Sequence, residues 1–155
     1  MIYIKDKQTN EIKTFEVDNH LQLSKNIRDQ YIEITQEEVN SYLLQEAKNN
    51  KIAEIKKAKN ETLYLPVDYN GNSFHTSEKA NINILGVIGI MEDLNLPTYP
   101  WISSSGQAIN LTLTDFKQLR QLIGSARGSS YSKEADRTIA VMTAKSIKEV
   151  NNIKW

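Results

Sequence analysis

The chain has 155 residues, no Cys and two His, and its 19 Lys+Arg balance 19 Asp+Glu to a formal net charge of zero. That composition excludes a disulfide framework, a thiolate metal site and a thiol nucleophile, and two His far apart in sequence do not predict a histidine metal site. Zero charge argues against a nucleic-acid-binding surface, and the balance is also local, with ten basic and ten acidic groups in residues 1–60.

Residues 2–17 read as a β-hairpin. Ile2 and Ile4 alternate with Tyr3 and Lys5, Asp6 to Asn10 supply the turn, and Phe15 and Val17 alternate with Thr14 and Glu16. Residues 18–28 are polar and without period, and Tyr31 to Ile34 reads as a short strand. Thr35 and Glu38 then form a capping box, with Ile34 and Val39 placed as a hydrophobic staple. They predict a helix from Gln36 towards Glu61. Its apolar stripe is narrow and is broken from Lys48 to Lys51, the pattern of an exposed linker between modules more than of an oligomerising stalk.

From Leu63 the pattern changes. Asn70-Gly71 between two strand-like runs predicts a hairpin closed by a type I′ turn. Thr76 or Ser77 can cap a helix from Glu78 to Leu94. Its middle, Ile82 to Met91, is apolar on most of its circumference and predicts a buried helix at the centre of the module, with Gly86 and Gly89 admitting a close neighbour. Pro97 and Pro100 end it. Residues 98–113 read as a second hairpin with a loose turn. Thr114-Asp115 opens a further helix, whose stripe of Phe116, Leu119, Leu122, Ile123 and Ala126 slips to Tyr131, Ala135, Ile139 and Met142, predicting a kink or break at Gly128 to Ser130. Ser146 and Glu149 form a second capping box ahead of a short terminal helix. The fold class is α+β: an N-terminal β-hairpin piece (1–34), a long linking helix (35–62) and a C-terminal module of two β-hairpins and three helices (63–155).

Residues of catalytic type are scattered. His20 and His75 read as surface or capping residues, and the adjacent pairs Glu37-Glu38 and Glu92-Asp93 do not face each other on a helix. Gly124 to Ser130 lacks the preceding strand and the Lys of a phosphate loop. Lys56-Lys57-Ala58-Lys59 has no interleaved aromatics and reads as a solvated helix face. No catalytic, cofactor or metal residue is expected, and the chain reads as non-enzymatic. Aromatic residues cluster instead in the second module. Tyr64, Tyr69, Phe74, Tyr99, Trp101, Phe116 and Tyr131 mostly supply its core, and one or two exposed rings form a contact. The terminal Trp155 either folds back on the module or joins an interface. The candidate interaction surface is Tyr69, Phe74, Tyr99, Trp101 and Trp155.

Pro66-Val67-Asp68-Tyr69-Asn70-Gly71-Asn72-Ser73-Phe74, the later Trp101, Leu111-Thr112-Leu113-Thr114-Asp115-Phe116, and the ending Ile139, Ala144, Ile147, Val150 and Ile153 together carry a resemblance. Residues 63–153 resemble a domain of unknown function found at the C-terminal end of bacteriophage tail-fibre-associated proteins. Residues 28–45 are similar to the entry segment of tail-fibre assembly proteins. The resemblance implies a structural protein of the phage tail or tail fibre, made in the host cytoplasm and located in the virion tail. It would act by protein–protein contacts with other tail or fibre proteins. It also implies a homo-oligomer, a trimer by analogy with fibres, with residues 36–61 near the axis. The alternatives are an assembly chaperone absent from the mature virion, or a tail-tip module binding host glycan through Tyr69, Tyr99 and Trp101. No membrane insertion is expected, because no segment approaches the roughly 20 apolar residues of a span. No basic region followed by a long apolar run stands at the start, so no secretory signal is expected. Asn, Gln, Ser and Thr supply 45 residues, a surface suited to wet short-range contacts more than to long-range steering.

Overall fold

A computed structural model describes residues 2–15 and 30–155. Val17 and His20 lie outside the described residues. The architecture is α+β and divides into two compact units, Met1–Lys51 with Ala144–Asn152, and Ile52–Thr143 with Ile153–Trp155.

In the first unit, β1 (Ile2–Asp6), β2 (Ile12–Phe15) and β3 (Tyr31–Ile34) form an antiparallel sheet of order β2-β1-β3. The hairpin register pairs Ile4 with Lys13, and on the other edge Ile4 faces Glu33. Asp6 sets the turn. Its carboxylate accepts from the amides of Gln8 (2.8 Å) and Thr9 (2.9 Å) and from the Gln30 side chain (2.8 Å). Those bonds hold its pKa below the usual carboxylate value, the Thr9 amide contributing most. Asn10 completes the turn at φ 61°.

Helix α1 (Gln36–Leu63) starts at the predicted box. The Thr35 amide donates to Glu38 Oε2 at 2.7 Å and the Glu38 amide donates to Thr35 Oγ1 at 3.2 Å. Ile34 and Val39 are both buried, as a staple requires.

In the second unit, β4 (Val67–Tyr69) pairs with β5 (Asn72–Phe74), with Asn70 at φ 49° and Gly71 at φ 74°. Two consecutive positive φ values are what a type I′ turn demands, and Asn and Gly are the residues that tolerate them. Helix α2 (Glu78–Leu94) is capped by Ser77, whose Oγ accepts from the Ala80 amide, and ends at Asn95 in the left-handed conformation. Strands β6 (Tyr99–Ile102) and β7 (Ala108–Leu111) form the second hairpin. Its turn is well bonded: the Ser103 hydroxyl is buried and accepts from the Gln107 amide. Ser104 donates through both its amide and its hydroxyl to the Ser73 carbonyl, each at 2.8 Å, tying the two hairpins together.

Helix α3 (Leu113–Thr143) corrects two expectations. Its cap is Thr112, two residues before Thr114, because Asp115 reaches back to the Thr112 amide and hydroxyl. It also runs unbroken through Gly128 to Ser130. The buried stripe does not slip; it changes chemistry. Phe116, Leu119, Ile123, Arg127, Ser130, Glu134 and Val141 follow one another at helical spacing. The polar members are each engaged. Arg127 donates to the Thr76 carbonyl at 3.1 Å, Ser130 lies 3.3 Å from the Thr62 hydroxyl, and Glu134 pairs with Lys59 at 3.3 Å. Tyr131, Ile139 and Met142, the expected continuation, are exposed instead.

Helix α4 (Ile147–Asn152) belongs to the first unit. The Glu149 amide donates to Ser146 Oγ, and Glu149 Oε2 accepts from the Lys145 amide. Val150 is fully buried.

Candidate functional site

The core of the second unit joins Phe74, Ile84, Val87, Ile88, Met91, Leu111, Phe116, Leu119 and Ile123. Strand alternation places Tyr99 and Trp101 on the same face of β6. Both rings stand edge-on to Phe116, with centroids 6.5 Å and 5.5 Å away at 73° and 86°.

The structure thus sorts the five sequence-predicted surface residues. Phe74 is 1% exposed and is core; it presents no ring to a partner, because β5 turns it beneath the hairpin. Tyr69 is half-buried, and its hydroxyl, with one proton to donate, lies 2.7 Å from Asp115 Oδ1 and 2.6 Å from the Gln118 amide oxygen. Tyr99 and Trp101 are half-buried against Phe116. Trp155 folds back on the unit, with Lys133 Nζ 4.8 Å from its ring centroid. Tyr64 and Tyr131, expected in the core, are exposed. Lys59 Nζ lies 5.1 Å from the Tyr131 ring centroid. His75 is exposed, as expected of a surface residue.

Asp115 closes the α3 cap and receives Tyr69. Its carboxyl is held below its ordinary value of 3.8, first by the Thr112 hydroxyl, then by Tyr69 and the Thr112 amide. The same contact raises the Tyr69 pKa, since a carboxylate beside the phenol disfavours phenolate. A carboxylate with a depressed folded pKa stabilises the fold fully above its unfolded pKa. That stabilisation is lost as pH falls through the folded value. Asp115→Asn is therefore expected to remove about 1 kcal/mol at neutral pH, in the range of a lost helix cap. It should also flatten the acid limb of the stability curve. Chemical denaturation from neutral to acid pH checks this: a variant with the parent's acid limb would show that Asp115 does not carry it.

The apolar surface that sequence reasoning missed is on α2. Only one side of that helix is buried, through Ile84, Val87, Ile88 and Met91. Ile82 (58% exposed), Leu85, Ile90 (44%) and Leu94 face outward, correcting the expectation of a helix buried on most of its circumference. Apart from the backbone of the helix itself, no atom of the described residues lies within 4 Å of where a Cβ on Gly86 or Gly89 would stand, so none of them supplies the close neighbour predicted there. Between this face and β6 lies an open groove of about 660 Å³, lined by Ile82, Gly86, Ile90, Trp101 and Ile102 among others. The signal that could have found it is the excess itself: α2 carries more large apolar residues than one buried face can use.

Among the described residues, no group of three or more His, Asp or Glu could hold a metal ion. No helix among them is long and apolar enough to cross a membrane. The sequence model of a family described as "Domain of unknown function (DUF4376)" matches residues 46–154. No curated protein and no solved structure matches the chain.

Proposed function

The chain belongs to the DUF4376 family of domains of unknown function, and we propose that it is a non-enzymatic structural protein of a bacteriophage tail or tail fibre, acting by protein–protein contact in the virion. The observation that carries this reading is the outward apolar face of α2 beside the β6–β7 hairpin. It is a broad, shallow, aliphatic surface on a module whose core is already complete. An exposed apolar patch of several hundred Å² on a domain this small supports a contact with another macromolecule. The resemblance of the Pro66-Val67 to Phe74 hairpin and of the Leu111 to Phe116 segment to tail-fibre-associated proteins supplies the setting. The polar, uncharged composition supports it too, since an assembled tail needs short-range fit more than electrostatic steering.

Mass spectrometry of phage particles purified from the source strain tests the proposal. Peptides of this chain are expected to co-purify with tail proteins at a fixed ratio through a density gradient. Their absence from the particles, with the protein present in the producing cells, would overturn the virion assignment and point to an assembly factor instead.

A further inference from the structure

The outward face of α2 is chemically symmetric about its middle. Lys79, Ile82, Gly86, Ile90 and Asp93 stand seven residues before, four before, at, four after and seven after Gly86. At 3.6 residues per turn these positions fall on one narrow stripe. All five are exposed. Neither Lys79 nor Asp93 is among the ion-paired residues of the described chain, where Glu92 takes Lys117 and Glu134 takes Lys59. Glycine weakens the interior of a helix relative to alanine, and none of the described residues packs into the space beside Gly86.

We propose that this stripe is the seam of a homodimer, in which α2 crosses α2 of a second copy in the antiparallel sense on a two-fold axis through Gly86. About that point each residue before Gly86 meets the residue equally far after it in the copy. Ile82 meets Ile90, and Lys79 meets Asp93, each twice over. A two-fold interface must be complementary to itself, and this stripe is so in both shape and charge. A parallel pairing would instead set Lys79 against Lys79 and Asp93 against Asp93. The missing side chain at Gly86 lets the two axes come nearer than the usual 8–10 Å, so that the isoleucine ridge of one copy enters the groove beside Trp101 of the other. Ile82, Leu85, Ile90, Leu94 and Ile102 together expose roughly 500 Å², the apolar part of the ~800 Å² per partner in a stable interface, and the exposed Lys79, Asn83 and Asp93 beside them add polar area. Zero net charge on the chain removes any global repulsion between copies. The inference rests on the reading of this face as a protein contact but not on the tail assignment. Absence from virions would leave the dimer standing, and a monomer in solution would leave the virion test unaffected.

Sedimentation equilibrium of the full chain, with Gly86→Leu, Lys79→Glu, Asp93→Lys and the double charge reversal, tests it. The parent is expected to be a dimer. Gly86→Leu has room in the isolated chain and suits a helix, so circular dichroism should be unchanged while dimer affinity falls about a hundredfold, as for a central interface residue. Each single reversal makes two attractive pairs repulsive and is expected to weaken the dimer about tenfold, as exposed ion pairs do. Lys79→Glu with Asp93→Lys should restore it. A monomer at all concentrations, a trimer, a dimer indifferent to Gly86→Leu, or a double reversal no tighter than the single ones would each overturn the proposal. So would a monomer whose α2 face is filled only when a different tail protein is added.

Discussion

Phe116→Ala is expected to cost the second unit about 4 kcal/mol, the middle of the range for removing a buried Phe. That is a large share of the 5–15 kcal/mol by which a domain of this kind is stable. Phe116 is fully buried, at the start of the α3 stripe, where the helix meets the β6–β7 hairpin. Truncation removes its ring from the core and also removes the edge that Tyr99 and Trp101 both pack against. Each such aromatic pair is worth about 0.5–1.5 kcal/mol beyond its buried area. No other aromatic ring is within stacking range of Trp101 among the described residues, so the hairpin would keep its backbone ladder and lose its anchor. Urea denaturation followed by far-UV circular dichroism gives the stability, and Trp fluorescence in a Trp155→Phe background, with Trp101 the one remaining Trp, reports the hairpin. The expected result is a large fall in midpoint with a red-shifted Trp emission in the native baseline. Phe116→Leu keeps most of the volume and should cost markedly less. If Phe116→Ala lost under 1 kcal/mol, the hairpin would not depend on this ring.

Local chemistry was legible in the sequence. The Thr35–Glu38 box, the Asn70-Gly71 turn, the Ser77 cap and the Ser146–Glu149 segment each rest on a few adjacent residues whose geometry is fixed at short range, and each stands where its residues place it. What depends on distant partners was less so. Strand β3 read as an isolated strand because its partner is not adjacent in sequence: Tyr3 of β1 pairs with Ile34 and Asp6 with Tyr31. The α3 stripe read as slipping because Arg127, Ser130 and Glu134 look like surface residues until Thr76, Thr62 and Lys59 are seen opposite them. The clustering of aromatics in the second module named Tyr99 and Trp101, which stand half-buried, and by the same count named Phe74, whose position on β5 buries it. The α2 face was misread for a physical reason: a helix apolar on two sides has the same composition whether its second side meets its own core or another chain.

Thr76→Val is expected to destabilise the second unit by about 2 kcal/mol, within the range for stranding buried hydrogen-bonding groups. Thr76 was a candidate cap for α2, but Ser77 caps the helix and Thr76 is buried at 1% exposure. Its hydroxyl lies 3.0 Å from the carbonyls of both Leu63 and Leu65, at the end of α1 and just beyond it. Its own carbonyl accepts from Arg127 on α3. One residue thereby ties the end of α1 and the middle of α3 to the segment that leads into α2. Valine fills the same space but offers no proton, so the carbonyls of Leu63 and Leu65 lose the single donor they share, and the bond to Leu63 is the buried one; Thr and Val are not interchangeable for that reason. Thr76→Ser keeps the hydroxyl and loses a methyl, and should recover about half of the loss. Arg127→Met tests the remaining bond, removing the donor to the Thr76 carbonyl while leaving the hydroxyl in place. Near-additive costs in the double variant Thr76→Val with Arg127→Met would mean that the two bonds act separately. A double variant no worse than Thr76→Val alone would mean that they hold one joint. The shared residue and the direct contact between Thr76 and Arg127 favour the second outcome. Thr76→Val at parental stability would show that the Thr76 hydroxyl does not hold the end of α1.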